Sequence, residues 1–180
     1  MRIYFDTEFT GLHQNTTLIS IGLIAEDGQE LYCELTDYDK SQVDDWIKEN
    51  VIAHLLPIDY KISQGNVIKW VGDKKTTREV VTNWLLQFDD VQMISDCPSY
   101  DWVLFCQLWG HAFKIPRNVS PAPRDINQDI ADYLGISEKE AFDLSRERFL
   151  EWPDSDQKHN ALWDARVIKA CYEKIQGMAG

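Results

Sequence analysis

The sequence has no apolar run near the ~18 residues that a membrane-spanning helix needs. Acidic residues appear by position 6, which is too early for the apolar core of a secretory signal. The chain also has no CxxC pair, and this absence argues against a zinc ribbon or a thioredoxin-like site. We therefore expect a cytoplasmic protein that is neither secreted nor inserted in a membrane, with four buried, reduced thiols: Cys33, Cys97, Cys106 and Cys171.

Positive charge is scarce, with 18 basic residues against 30 acidic ones and a formal net charge of -12. Such a field repels nucleic acid at long range, which argues against a non-specific DNA coat protein. It is compatible with a nucleic-acid enzyme whose acids surround metal ions, while solubility alone is the simpler explanation. A content of 44% apolar and 27% charged residues over 180 positions predicts one globular domain spanning 1–180.

The hydrophobic pattern predicts a hairpin followed by alternating helices and strands. The predicted strands are residues 2–5, 17–25, 30–35 and 91–95. The first predicted helix begins at about Ser41 and ends at Pro57, and the second begins at a cap on Thr76 or Thr77. Further helices are predicted at 99–110, at 126–135, after Ser137 through residue 152, and at 160–176. This order is typical of an α/β protein with a mixed sheet flanked by helices.

Two acidic residues, Asp6 and Glu8, lie two positions apart where the first apolar strand ends. Side chains at i and i+2 of a strand point to the same face, so both carboxylates enter one cleft. Like charges so placed are costly unless a cation lies between them, and Mg²⁺ and Mn²⁺ prefer carboxylate oxygen. The pair predicts a metal site, against the alternative of a solvated strand end.

A histidine and an aspartate, His159 and Asp164, flank the start of the last predicted helix, for which Asn160 is a plausible cap. The histidine can reach over a cleft while the aspartate faces into it. The same spacing occurs in His54 and Asp59, but Pro57 interrupts that pair and leaves no helix to fix its geometry. We therefore treat the second pair as a decoy.

A further acid, Asp101, lies early in an otherwise apolar helix, where it must find water, a partner or a metal. Asp96 is nearby at the end of the preceding strand and competes for the same role. Capping of the turn through Pro98 is the structural explanation for Asp96, so the sequence favours Asp101.

Together these segments resemble the DEDDh family of 3′–5′ exonucleases. "FDTEFTGL" resembles the family's first motif, "SYDWVLF" its second and "HNALWDA" its third, in the right order and over nearly the whole chain. "DTEF", "LISIGLIAEDG" and "YDWVLFCQLWG" look more like the subgroup that contains the polyadenylate-specific exoribonuclease and related bacterial and phage exonucleases. The resemblance implies a ribonuclease H-like fold and release of nucleoside 5′-monophosphates from a 3′ end.

The resemblance also implies a catalytic set. Two Mg²⁺ or Mn²⁺ ions would be held by Asp6, Glu8, Asp101 and Asp164, with Asp6 bridging both ions. His159 would act as general base on the attacking water. In the family, the turn after the first motif meets the terminal nucleotide, which implies substrate contacts for Phe9, Thr10 and Leu12. Packing of this turn onto the core is the alternative for Phe9 and Leu12.

The choice of substrate stays open at this point. The subgroup favours RNA over DNA as the partner, but an exodeoxyribonuclease acting on single-stranded DNA shares the catalytic residues. A nucleotide pyrophosphatase and a non-catalytic ribonuclease H-like binding module are further alternatives, although none of the five catalytic residues is missing. The family is commonly dimeric, so a homodimer is expected. Candidates for phosphate or base contacts are Lys74, Lys75, Arg78, Arg124, Arg166 and, as a weak stacking candidate, Trp70.

Overall fold

The computed structural model describes residues 1–56 and 67–177, so Pro57 and Asp59 lie outside the described residues. Six strands form one mixed sheet in the order β4-β3-β2-β1-β5-β6. The strands are β1 (Arg2–Phe9), β2 (Leu18–Ala25), β3 (Glu30–Leu35), β4 (Val67–Gly72), β5 (Gln92–Ser95) and β6 (Arg124–Asp125). The predicted mixed sheet flanked by helices is confirmed.

The strand directions decide where the functional side chains meet. Strand β2 is antiparallel to β1 and β3, whereas β4 pairs in parallel with β3, and β5 in parallel with β1 and β6. The carboxyl ends of β1, β3, β4, β5 and β6 therefore lie on one edge of the sheet. Ligand sites of α/β proteins occur at this edge.

The helices are α1 (Asp45–Asn50), α2 (Lys74–Leu85), α3 (Pro98–Gln107), α4 (Ile126–Leu134), α5 (Glu138–Asp143), α6 (Arg146–Leu150) and α7 (Ala161–Ile175). One sheet face, carrying Ile3 and Phe5 of β1, packs in an apolar core with α2 and α3. The other face carries α7, which lies across β1 and β2. No helix in the described part of the chain is long and apolar enough to cross a membrane.

A glycine lets α7 approach the sheet closely. A Cβ added at Gly22 on β2 would lie 2.3 Å from the carbonyl oxygen of Ala161 and 2.5 Å from the backbone nitrogen of Leu162. Real Cβ contacts of this length do not occur, so any side chain at this position would push the first turn of α7 away. The cross-strand partner of Gly22 is Asp6, so the contact lies directly beside the acidic pair.

Several predicted boundaries were wrong. Strand β1 continues through Phe9, because Asp6 and Glu8 keep the ladder to β2. Strands β4 and β6 were missed, and Trp70 lies on β4, half-buried against the apolar core. The helix predicted from Ser41 is a 3-10 turn at Lys40–Gln42 followed by α1, which begins after an Asp44 cap.

Side-chain caps account for the other differences. Helix α2 is capped by Asp73, whose Oδ1 accepts the Thr76 backbone N–H at 2.8 Å, and Thr77 is buried within the helix. The helix predicted after Ser137 divides into α5 and α6, because Ser145 begins a new helix. The caps predicted at Ser137 and Asn160 are confirmed.

Candidate active site

A cleft of about 550 Å³ opens at the carboxyl ends of β1 and β5. Its floor is acidic, and α5, α6 and the segment before α7 form its far wall. The lining includes all five residues of the predicted catalytic set, Asp6, Glu8, Asp101, His159 and Asp164. The structure thus brings together side chains from β1, α3 and the start of α7.

The acids lie in two clusters. In the Glu8 cluster, one ligand atom from each of Glu8, His159 and Asp164 lies within 4.8 Å of the others. In the Asp6 cluster, the same holds for Asp6, Asp96 and Asp101. The alternation along β1 therefore supplies one carboxylate to each cluster.

The Asp6 cluster is fixed by hydrogen bonds from its neighbours. Asp101 Oδ1 accepts the backbone N–H of Thr7 at 3.2 Å and the Thr7 hydroxyl at 2.6 Å. Thr7 lies between the two acids of β1 and points away from them, so it holds α3 against the strand. Asp6 Oδ2 and Asp101 Oδ2 are buried and have no hydrogen-bond partner among the described residues.

Asp96 belongs to the site together with Asp101, although the sequence favoured Asp101 alone. Arg146 Nε donates to Asp96 Oδ2 at 3.3 Å. The same guanidinium donates to the carbonyl oxygens of Ala141 at 2.8 Å and Leu144 at 3.0 Å, and to Asn127 Oδ1. Arg146 therefore ties Asp96 to the junction of α5 and α6.

Burial and mutual repulsion set the protonation of the carboxylates. Burial raises the pKa of Asp101 to about 8 and that of Asp164 to about 7. Burial raises the pKa of Asp6 and of Glu8 as well, and the neighbouring acids add to both shifts. The acids of the cleft are thus removed from water and close to like charges, and both effects favour their protonated forms.

His159 is held in a left-handed backbone conformation with φ of 64°. Its backbone N–H donates to Asp164 Oδ2 at 2.9 Å, which ties the histidine to the acid of its own cluster. Its ring meets the edge of Trp46 at 5.2 Å. Burial lowers the pKa of His159, with further contributions from Lys158 and His54, so the ring is neutral near pH 7 and able to accept a proton.

Comparison with known proteins identifies the family of this chain. A sequence model of the 3′-5′ exoribonuclease Rv2179c-like domain matches residues 1–176. The chain belongs to this family. Two curated relatives, the 3′-5′ exoribonucleases Rv2179c and MT2234.1 from two strains of Mycobacterium tuberculosis, are 30% identical over 134 residues, covering 71% of this chain and 73% of theirs.

Solved structures agree with the fold of this Rv2179c-like domain. A 3′-exonuclease described in 3′-end specific recognition of a histone mRNA stem-loop superimposes with a TM-score of 0.66 at 12% identity, covering 99% of this chain. The chain spans 64% of that protein's length. The nuclease domain of 3′hExo, a DEDDh family member bound to rAMP, gives a TM-score of 0.59 at 13% identity, with 99% and 93% of the two chains covered. An Escherichia coli ExoI–ssDNA complex gives 0.58 at 11% identity, covering 98% of this chain and 40% of that one.

The turn after β1 has two kinds of residue in this Rv2179c-like domain. Phe9 and Leu12 line the cleft; Phe9 stacks on Tyr100 with ring centroids 5.2 Å apart, while Leu12 is 75% exposed. Thr10 is buried and does not line the cleft, and its hydroxyl oxygen accepts the Thr17 backbone N–H at 2.9 Å. Thr10 therefore shapes the turn.

Trp46 also lines the cleft, and it was missed as a site residue. It is 53% exposed, whereas its neighbour Ile47 on α1 is buried. The acids Asp44 and Asp45 before it and Lys48 after it were the available signal that this tryptophan lies at the surface.

Proposed function

We propose that this Rv2179c-like domain, over residues 1–180, removes nucleotides from the 3′ end of RNA and releases nucleoside 5′-monophosphates. The observation that carries the proposal is the pair of acidic clusters sharing one cleft, with a neutral histidine at its mouth. Family membership supports the same reaction.

The donor set fits divalent metal ions. The two buried oxygens without partners, Asp6 Oδ2 and Asp101 Oδ2, and the raised pKa values of the acids indicate a missing positive charge. Carboxylate oxygens are the ligands that Mg²⁺ and Mn²⁺ prefer. Glu8 and Asp164 would hold one ion, Asp101 would hold the other and Asp6 would contribute to both, and ions bound there would stabilise charge on the phosphate and on the leaving 3′ oxygen.

The residues of the chain supply the remaining steps. His159 takes a proton from the water that attacks the phosphorus, and the bond from phosphorus to the 3′ oxygen breaks. The leaving 3′ oxygen takes up a proton from solvent and becomes the 3′ hydroxyl of the shortened strand, and the freed nucleotide carries the phosphate on its 5′ oxygen. Phe9, Leu12 and Trp46 offer apolar surface to the terminal bases, which orients the strand without selecting a sequence.

The test is digestion of matched RNA and DNA strands labelled at the 5′ end, with Mg²⁺ and with Mn²⁺. We expect stepwise shortening of RNA from its 3′ end and release of 5′-mononucleotides. A 3′ phosphate should block digestion, because its charge would face the closed turn after Glu8. Faster loss of DNA would identify an exodeoxyribonuclease, and cutting of a circular strand would contradict exonuclease action. Turnover of free dinucleotides alone would favour a pyrophosphatase.

Assembly and location are separate predictions. We expect a homodimer, which sedimentation of the purified chain tests directly. The absence of paired cysteines supports a reducing cytoplasm as the place of action: all four thiols are free. Thiol counting after isolation under non-reducing conditions tests this expectation.

A further inference from the structure

A second groove runs from the turn after β1 toward the first half of α2. It consists of three shallow depressions of about 180, 350 and 440 Å³. The first two share Asp37, Lys74 and Leu108, and the last two share Arg78 and Trp109. The depressions are therefore continuous, with the end of α3 as one wall.

The near end of this groove lies beside the catalytic cleft. Thr17 lines the groove, and its carbonyl accepts the Thr10 backbone N–H at 3.0 Å. Thr10 directly follows Phe9, which lines the cleft. Strands β1 and β4 end on the same edge of the sheet, three strand spacings or about 14 Å apart, and α2 begins two residues after β4.

The groove is lined by four cations and three acids, a local excess of positive charge. Lys74, Lys75, Arg78 and Lys114 line it, and none of them forms an ion pair within residues 1–56 and 67–177. In the catalytic cleft, by contrast, Arg146 and Lys158 are each paired with a carboxylate. A cluster of unpaired cations is a local exception in a chain of net charge -12.

The acids and the aromatic side chain of the groove are already engaged. Asp73 caps α2, and Asp37 Oδ1 accepts the Lys74 backbone N–H at 3.0 Å, which leaves Glu79 as the other acid in the lining. Trp109 donates its indole N–H to Thr82 Oγ1 at 3.2 Å and packs on Phe105. Its ring is thus a fixed apolar wall beside the cations.

We propose that this groove, defined by Lys74, Lys75, Arg78, Trp109 and Lys114, holds single-stranded RNA upstream of the nucleotides in the cleft. The inference rests on the proposed function. Lysine and arginine bind backbone phosphates without reading sequence, and an indole face packs against any base. Long strands therefore bind more tightly than short ones, whatever their sequence.

The experiment compares two triple variants of the full chain. Lys74→Gln/Lys75→Gln/Arg78→Gln removes three cations from the groove. Lys40→Gln/Lys48→Gln/Arg148→Gln removes three exposed cations that line neither the groove nor the cleft, so it matches the change in net charge. The measured quantities are KM and kcat for a trinucleotide and for a strand of roughly twelve nucleotides.

For the groove variant, the KM for the long strand should rise about tenfold, while kcat and the trinucleotide KM stay at the parental values. The plot of log affinity against log salt concentration has a negative slope, and its magnitude should decrease by about 2, since each of the three single-strand phosphate contacts contributes about 0.7. The control variant should match the parent in every measurement.

Equal KM values for the groove and control variants would overturn the groove assignment and leave the exonuclease assignment intact. An equal loss on the trinucleotide would overturn it as well, because the lost charges would then act at the cleft. If the parent degrades no RNA, the proposed function fails instead. Fluorescence anisotropy of a labelled long strand in EDTA then decides the groove: weaker binding by the groove variant alone supports it, and equal binding contradicts it.

Discussion

The Asp6 cluster and the Glu8 cluster lie in one cleft but are held in different ways. Two acids of the Asp6 cluster are fixed from outside, Asp101 by Thr7 and Asp96 by Arg146. In the Glu8 cluster the hydrogen bond lies within the cluster: the His159 backbone N–H donates to Asp164 Oδ2. The Asp6 cluster is thus held by contacts from outside it, and in the proposed mechanism the Glu8 cluster carries the group that moves a proton.

The comparison is tested most severely by removing one charge from each cluster. Asp6→Asn and Asp164→Asn should each lose more than about 10⁴-fold in turnover, because metal ligands act as a unit and losses of single members are not graded. Both variants should keep the parental circular dichroism spectrum. Near-parental turnover in either variant would remove that residue from the ion site.

His159→Ala should lose about 10²–10⁴-fold in turnover at saturating metal, the usual contribution of a positioned base. Its Mn²⁺ affinity should stay parental, since the imidazole is not a ligand in this scheme. The rate of the parent should fall as acid protonates the ring. Loss of Mn²⁺ binding in calorimetry would move His159 into the metal set. His54→Ala is the control: it keeps the backbone carbonyl that accepts from Asn160 at 2.8 Å and removes a ring that only helps to lower the pKa of His159, so turnover near pH 7 should stay close to the parental value.

The spacing between the clusters depends on Gly22. Gly22→Ala would drive the first turn of α7 away from β1, and a misplacement of about 1 Å can cost about 10²-fold in rate. The expected variant is folded, has a lower melting temperature and is weakly active. Gly28→Ala is the matched control for adding a methyl group, since it meets no atom within 4 Å, although its positive φ carries its own strain. Equal activity in Gly22→Ala and the parent would contradict the spacing role.

The contact between Arg146 and Asp96 tests how the Asp6 cluster is held in place. Arg146→Met should weaken Mn²⁺ binding about 10–100-fold, the usual cost of losing a group that orients a ligand. If the effect passes through Asp96, adding Asp96→Asn should cause little further loss. Additive losses in the double variant would show that Arg146 acts elsewhere, through the carbonyl groups that end α5.

The smallest effect is on stability. The raised pKa values of the acids mean that the folded protein keeps protons that the unfolded chain releases near pH 4. In EDTA, the contribution of these acids to the free energy of unfolding is therefore fully present below about pH 4, and it is lost as the pH rises toward the pKa of about 8 of Asp101. Asp6→Asn should raise the melting temperature at pH 8.5 by about 3–6 °C, corresponding to about 1–2 kcal/mol. An unchanged or lower melting temperature would contradict charge repulsion at the site.

The sequence predicted the parts of this site that depend on short spacings. The alternation of Asp6 and Glu8 requires only a strand, and the cap at Asn160 requires only the start of a helix. Asp96 was ranked below Asp101, because its contact with Arg146, which is 50 residues away, forms only in the folded chain. Strand β4 was missed because five of its six residues are not fully buried, so its apolar pattern is weak. The division between α5 and α6 begins at Ser145, whose side chain caps α6, a local signal that the single predicted helix overlooked.

The most direct test is an anomalous difference map from crystals of the parent soaked in Mn²⁺ with a nucleoside 5′-monophosphate. Two peaks are predicted, one against Glu8 and Asp164 and one against Asp101, with Asp6 contacting both and the His159 ring contacting neither. The absence of a peak at the cleft, or a single peak bound by His159, would contradict a site in which each cluster holds one ion and His159 is free to accept a proton.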